Sequence, residues 1–256
     1  MIDSRAAIDP TALLAGDVQI GPYSVIGADV EIGAGTWIGP HVVINGPTRI
    51  GCDNQIHPFS TIGGPPQDRS YRAETSNVDI GHRNVIREGC TINRGTAKGD
   101  CVTRIGDDNW LMAHVHIAHD CRIGNHALFI NNATLAGHVT VEDYAVLGSF
   151  VTVHQFCAVG AYSFSTASSI IRRDIPPYIA VSGYKARPVA VNSKGLKTHG
   201  FSAVAIRWLQ RAFHILYRSD LTLVQALERL RELVAESAEV GALLDFIERS
   251  ERGVIR

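Results

Sequence analysis

Every sixth residue of the first sixty-odd is aliphatic, and most are isoleucine: Ile2, Ile8, Leu14, Ile20, Ile26, Ile32, Ile38, Ile44, Ile50, Ile56, Ile62. Glycine often follows, as at Gly21, Gly27, Gly33, Gly39, Gly51 and Gly63. A period of six is neither the 3.6 of a helix nor the alternation of a half-buried strand. It marks a hexapeptide β-helix, in which each hexapeptide forms one short wall and its aliphatic residue points into a narrow core. Three hexapeptides make one coil, so residues eighteen apart stand above one another. The repeat is therefore a ruler for which side chains can meet.

The ladder resumes at Ile80, Ile86 and Ile92 in the same phase. The interval after Ile62 contains Gly63-Gly64-Pro65-Pro66-Gln67-Asp68-Arg69-Ser70-Tyr71-Arg72, too polar and too rich in Pro and Gly for a buried wall. It reads as an excursion spanning about 63–79. A second irregular piece, about 93–104, contains Gly95, Gly99 and Asp100. The phase then slips by one and runs Ile105, Leu111, Ile117, Ile123, Phe129, Leu135, Val141, Leu147, Val153, Val159. Ser165 breaks the series, and Ile171 reads as its last member. Asp174-Ile175-Pro176-Pro177-Tyr178 reads as the end of the β region, because prolines remove ladder donors.

From Ser202 the period becomes helical, with Val204, Ile206, Leu209, Ala212, Phe213 and Leu216 on one stripe and Ser202 as N-cap. Thr222 and Gln225 form a capping-box pattern. A third helix is expected around Ala242 to Glu248. The organisation is then a β-helix over 1–190 and a small α-helical domain over 191–256, whose helices cap the open sheet edge or pack on a neighbour.

The formal net charge is −1, which is not the basic excess of a nucleic-acid binder. No run of about eighteen apolar residues predicts a membrane span. Met1-Ile2-Asp3-Ser4-Arg5 enters the repeat at once and leaves no room for a signal peptide, so a cytoplasmic location is expected. The five cysteines are odd in number, lack paired zinc-type spacing and read as reduced thiols.

Histidine is enriched at His114, His116, His119, His126, His138 and His154. The ruler puts His119, Gly137 and Gln155 in one column and Asp120 under His138. Adjacent strands lie about 4.8 Å apart, so the column spans roughly 10 Å. Neutral imidazole is a usable base near neutrality, its unperturbed pKa being about 6.5. Asp120 or a backbone carbonyl could hold the ring in one tautomer. Gly137 lets a substrate approach its N–H, as an oxyanion donor must. A base beside such a donor suits transfer of an acyl group to a hydroxyl. Two blander readings stand beside this: a solvated histidine edge, and a metal site from His114, His116 and His119. The Gln67–Tyr71 loop tip is either solvated or in contact with substrate. Arg172 and Arg173 are either a solvated face or an attraction for an acidic partner.

At these residues the chain resembles a known family. His116-Ile117-Ala118-His119-Asp120-Cys121, Asn131-Asn132-Ala133-Thr134-Leu135-Ala136-Gly137-His138 and Val153-His154-Gln155-Phe156 resemble the acyl-[acyl-carrier-protein]:UDP-N-acetylglucosamine O-acyltransferases of lipid A biosynthesis. So do His41-Val42-Val43-Ile44-Asn45-Gly46, Ile86-Arg87-Glu88, Asp174–Tyr178 and Arg252-Gly253-Val254-Ile255-Arg256. The blocks cover essentially the whole chain in order. The resemblance implies a left-handed parallel β-helix, an exception to the right-handed crossover rule. It implies a homotrimer with sites between subunits, a 3-hydroxyacyl donor on acyl carrier protein as co-substrate, and no metal or other cofactor. By resemblance His119 is the general base toward the sugar 3-hydroxyl and Gly137 the oxyanion donor. His116, His138, His154 and Gln155 orient donor and acceptor. Gln67 and Asp68 contact the sugar, Asn192 contacts the nucleotide and Ala167 limits acyl length. Arg172 and Arg173 are candidates for a carrier-protein landing surface.

Some positions depart from the family. Its loop usually reads Gln-Asp-Leu-Lys-Tyr; here the lysine position is Ser70, flanked by Arg69 and Arg72. Lys194 stands in place of a glutamate, Thr198 in place of an arginine, and Asn93 where histidine is common. The donor half is intact and the acceptor half altered. Besides UDP-N-acetylglucosamine acylation, the open readings are a paralogue acting on another nucleotide sugar such as an amino-sugar variant, a zinc hydratase on a similar β-helix, and a non-catalytic scaffold.

Overall fold

The computed structural model describes residues 1–256. Strands mostly two to four residues long build three parallel walls of nine, eight and ten strands. The first wall runs from Ala7–Ile8 to Ile170–Ile171, the second from Leu13–Leu14 to Ala158–Val159, the third from Gln19–Ile20 to Arg187–Val191. Every third strand shares a wall, as a left-handed parallel β-helix requires. In a two-residue strand one side chain faces out and the other in. The inward ladder is the aliphatic series: Ile38, Ile44, Ile56, Ile62, Ile86, Leu111, Ile117 and Leu135 have no solvent exposure. Fully burying each such side chain contributes about 1.5–3 kcal/mol.

The corners need backbone that turns sharply. Residues such as His41, Asp53, His114, Asp120, Asn132, His138 and Phe156 adopt φ between +56° and +63°. That conformation costs an L-residue roughly 1–2 kcal/mol. Corner hydrogen bonds offset the cost: the His138 N–H donates to His119 O at 3.0 Å, and the Asn132 N–H to Ala113 O at 3.0 Å. One buried corner is bonded through side chains. Asn84 Nδ2 donates to Asn54 Oδ1, and Asn109 Nδ2 to Asn84 Oδ1, each at 3.0 Å.

Both excursions leave the same corner, between the first and second walls. The first wall reaches Gly64 and the second resumes at Asn77. The first wall next ends at Asn93 and the second resumes at Val102. Ile80 still stands on Ile50 and under Ile105, so the core ladder passes beneath both loops without a break.

The ladder does not stop at Ile171. Ser165 keeps its place as a fully buried rung, and its Oγ accepts from the Gly148 N–H at 3.2 Å. Nor do the prolines end the β region. Ile179–Ser182 pairs in parallel with Phe164–Ser165, and Arg187–Val191 then adds the one antiparallel strand. Pro176 and Pro177 precede that strand and remove no donor from it.

Four helices follow: α1 Ser193–Thr198, α2 Ala203–Tyr217, α3 Leu223–Arg231 and α4 Ala238–Glu248. Ser202 caps α2, and Thr222 with Gln225 closes a capping box on α3. α4 starts four residues before the expected Ala242, capped by Ser237. α1 is too short and glycine-containing to show a stripe. The chain end returns to the β-helix: Ser250 Oγ donates to Asp174 Oδ2 at 2.5 Å, and Arg249 pairs with Glu142.

Candidate active site

The corner from which both excursions leave carries His119 and Asp120, between the strands His116–Ile117 and Arg122–Ile123. The stacking follows the eighteen-residue ruler. The His138 N–H bonds His119 O, and the Phe156 N–H bonds Gly137 O at 3.2 Å. His119 therefore lies beneath Gly137, and Gly137 beneath Gln155.

His119 Nδ1 is 2.8 Å from Asp120 Oδ2. The Asp120 side chain is 3% exposed. Its carboxylate also accepts from the Thr96 N–H at 2.9 Å and Thr96 Oγ1 at 2.7 Å. The Asp120 N–H is taken by Thr103 Oγ1. Burial alone pushes the carboxyl's pKa up, but the bonds from His119 and Thr96 outweigh it and hold it below the ordinary carboxylate range. An ionised Asp120 accepts a hydrogen bond from the Nδ1–H, which leaves the lone pair on Nε2 of His119.

Gly137 provides the other half. A Cβ there would stand 2.5 Å from Cε1 and 2.7 Å from Nε2 of His119, so a larger residue would displace the imidazole. The Gly137 N–H donates to no carbonyl or side chain of this chain. A free donor beside the free lone pair of an oriented imidazole is the arrangement that acyl transfer to a hydroxyl uses. A cavity of about 410 Å³, bordered by His138, Phe156, Asp174, Phe246 and Arg252, adjoins this corner.

The other sequence-predicted residues divide by corner. His138 stands edge-on to His119, stacks on Phe156 with centroids 4.5 Å apart, and places Nε2 3.6 Å from Asp120. His116 lies on the first wall, with Nδ1 2.7 Å from Thr91 Oγ1. His154 is exposed and lies 3.0 Å from an Arg252 nitrogen. Gln155 is exposed at the top of the column, and Gln67 and Asp68 lie on the first excursion at this corner. Ala167 and Asn192 are elsewhere. Ala167 is exposed in the turn between the third and first walls. Asn192 lies at the corner between the second and third walls, where it donates to Tyr162 O at 2.9 Å and accepts from the Gly195 N–H, capping α1. The three corners of one chain do not converge.

The metal reading from His114, His116 and His119 fails on geometry. His114 belongs to the corner between the third and first walls, against Gly89, and His116 is bonded to Thr91. The three ligating side chains that do cluster are His119, Asp120 and His138, within 4.8 Å of one another. Asp120 there already accepts three hydrogen bonds.

Sequence reasoning missed Thr96 and Thr103, which hold Asp120, and Thr91, which holds His116; Arg252, beside His154, it met only as part of a family block. Thr96 lies in the second excursion, where the ruler does not reach. It also left open whether an arginine replaces the charge missing at Ser70. Arg72 does not: it turns back onto the carbonyls of Arg69 and Tyr71. Lys98, from the second excursion, places its ammonium against Ser70 Oγ and 3.0 Å from Asp68 Oδ2. Asn93, in place of a histidine, ties the two loop bases by donating to Pro65 O at 2.9 Å.

Comparison with known proteins assigns the chain to a family. Residues 174–255 match the family model described as "Udp N-acetylglucosamine O-acyltransferase; Domain 2". Residues 11–46, 29–64 and 103–129 match the bacterial transferase hexapeptide model. The acyl-[acyl-carrier-protein]–UDP-N-acetylglucosamine O-acyltransferase of Thiobacillus denitrificans is 52% identical, the alignment covering 100% of this chain and 99% of that protein. Its namesake from Halorhodospira halophila is 53% identical at the same coverage. Among solved structures, LpxA from Acinetobacter baumannii superposes with a TM-score of 0.97 at 42% identity, over 100% of this chain and 99% of that one. The UDP-N-acetylglucosamine acyltransferase of Francisella novicida gives 0.98 at 39% identity, over 100% and 94%. Aligned along its whole length with such relatives, the chain belongs to the acyl-[acyl-carrier-protein]–UDP-N-acetylglucosamine O-acyltransferase family.

Proposed function

We propose that the chain transfers a 3-hydroxyacyl group from acyl carrier protein to the 3-hydroxyl of UDP-N-acetylglucosamine, the first step of lipid A biosynthesis. The observation that carries the chemistry is the His119–Asp120 pair beside the unbonded Gly137 N–H. His119 Nε2 takes the proton of the sugar hydroxyl, whose oxygen attacks the thioester carbonyl. The tetrahedral oxyanion is held by the Gly137 N–H, which is worth roughly 3–4 kcal/mol for one such donor. The carbon–sulfur bond then breaks, and the proton on Nε2 passes to the departing thiolate. The balance needs neither metal nor redox cofactor.

The working form is a homotrimer. Its support is the dispersal of the family's site positions over three corners, with Asn192 and Ala167 away from His119. Neighbouring chains, corner to corner, would bring such sets together. No helix is long and apolar enough to cross a membrane, consistent with a cytoplasmic enzyme meeting an acyl carrier protein and a nucleotide sugar. Arg172 and Arg173 line a basic groove with Lys185, Arg187 and Arg256, a surface suited to an acidic carrier.

The test is turnover of a panel of nucleotide sugars against 3-hydroxyacyl carrier proteins of several chain lengths. UDP-N-acetylglucosamine is expected to be the preferred acceptor. Preference for an amino-sugar variant would move the function to a paralogous acyltransferase, a reading that Lys194 and Thr198 keep on the panel.

A further inference from the structure

The two excursions are joined through one cation. Lys98 Nζ lies 3.0 Å from Asp68 Oδ2 and against Ser70 Oγ. Asp68 is committed to this arrangement: its Oδ1 accepts from the Ser70 N–H and Ser70 Oγ, each at 2.8 Å. These bonds, led by the one from the Ser70 backbone, hold its carboxyl well below the usual range. An ammonium has three donors, and two are used here. The third is free, on a side chain 60% exposed.

The position of this ammonium is set from the catalytic side. The Lys98 N–H lies 3.3 Å from Thr96 Oγ1, the hydroxyl that bonds Asp120. A Cβ on the next residue, Gly99, would stand 2.5 Å from Asp120 Oδ1. The segment from Thr96 to Gly99 is thus laid along the carboxylate that orients His119. Lys98 is close enough to the cluster that its charge, after burial and the nearer charges of Asp120 and His119, bears on His138. Ser70 itself carries no charge, and Arg72 is folded onto its own loop.

We propose that Lys98 determines acceptor affinity, its Asp68- and Ser70-held ammonium donating to a phosphate oxygen of the nucleotide sugar. This rests on the acceptor being a nucleotide sugar. A serine at position 70 then works because it is a seat for a lysine delivered from twenty-eight residues away. A compact ammonium serves as a point charge toward a phosphate, where an arginine would demand a forked geometry.

The experiment compares UDP and uridine binding by calorimetry in the wild type, Lys98→Ala, Lys98→Gln and the double variant Ser70→Lys/Lys98→Gln. Lys98→Ala is expected to weaken UDP about tenfold, between the values for an exposed and a desolvated charge-assisted bond. Uridine, which has no phosphate, should be unaffected. Lysine at position 70 should restore most of the loss. In turnover, the KM for UDP-N-acetylglucosamine should rise by a similar factor while that for acyl carrier protein stays constant. The proposal is overturned if UDP and uridine weaken together, if neither changes, or if the double variant binds UDP no better than Lys98→Gln. Failure of the acyltransferase reading would look different: a wild type that binds UDP in a Lys98-dependent way yet does not acylate its sugar.

Discussion

Nδ1 of His119 lies 2.8 Å from Oδ2 of Asp120, and the same carboxylate is gripped by Thr96 from the second excursion. The orientation of the base thus depends on a loop that belongs to no coil. Asp120→Asn keeps one accepting oxygen and puts in place of the other an NH2, which cannot accept. Turnover is expected to fall at least about a hundredfold with a smaller change in KM, because the Nδ1 proton is no longer claimed and the wrong tautomer is populated. Steady-state kinetics check this; a variant with wild-type kcat would remove the orienting role.

His119→Ala takes away the base itself. General-base assistance is worth about 10²–10⁴ in rate, and turnover should fall by that factor. The side chain is at a corner rather than in the ladder, so thermal melting and light-scattering mass should stay near wild type. Retained activity would mean that another group accepts the hydroxyl proton.

Gly137→Ala tests the neighbouring residue by sterics. The new methyl would meet the His119 imidazole at 2.5 Å, and a side chain yields more cheaply than backbone. Activity should drop at least about a hundredfold, the scale of losing an oxyanion contact. A crystal structure of the variant should have the imidazole rotated away from its wild-type position. An active enzyme with an unmoved ring would contradict the packing described.

Burial holds His116 below its ordinary pKa, and the charge of His119 adds to this. Burial likewise lowers His138, opposed by Asp120 and assisted by His119 and Lys98. For each ring the unfolded chain binds the proton first as pH falls. The stability they contribute is therefore complete above about pH 6.5 and is lost as pH drops toward and through the lower folded values. Melting temperature should decline as pH falls below about 6.5, and less steeply in His116→Asn/His138→Asn. An unchanged slope in that double variant would assign the decline to other groups.

Mixed assemblies can establish whether a site is shared between chains. His119→Ala and Asn192→Ala chains, each expected to be inactive or nearly so alone, are refolded together and assayed. Recovery of activity in the mixture is the expected outcome, since a trimer can pair an intact His119 corner with an intact Asn192 corner. No recovery, with trimers verified by mass, would confine the site to one chain.

The wall residues were legible because a β-helix repeats one local rule, and aliphatic residues obey it wherever a rung is buried. That rule set His119, Gly137 and Gln155 in line from spacing alone. Ser165 and Pro176-Pro177 were misread because a serine can fill a rung when a backbone N–H reaches its hydroxyl, and a proline outside the paired residues costs the ladder nothing. Thr96 and Lys98 were invisible for a different reason. Their partners, Asp120 and Ser70, lie across an insertion whose path no period describes. The resemblance to a family supplied what the ruler could not, namely expected roles for Asn192 and Ala167 on corners remote from His119.

The uninterrupted ladder under both loops has a consequence for how such a molecule can change over generations. Because Ile80 rests on Ile50 and carries Ile105, the corner accommodates insertions of twelve and of seven residues alike, with the next rung landing in place each time. The walls have no such latitude. Between His119 and Gln155 the chain has a frame, much as a gene does: losing one residue there would rotate everything after it off its column. Gaining a whole coil above or below would lengthen the prism by about 4.8 Å and leave the chemistry untouched.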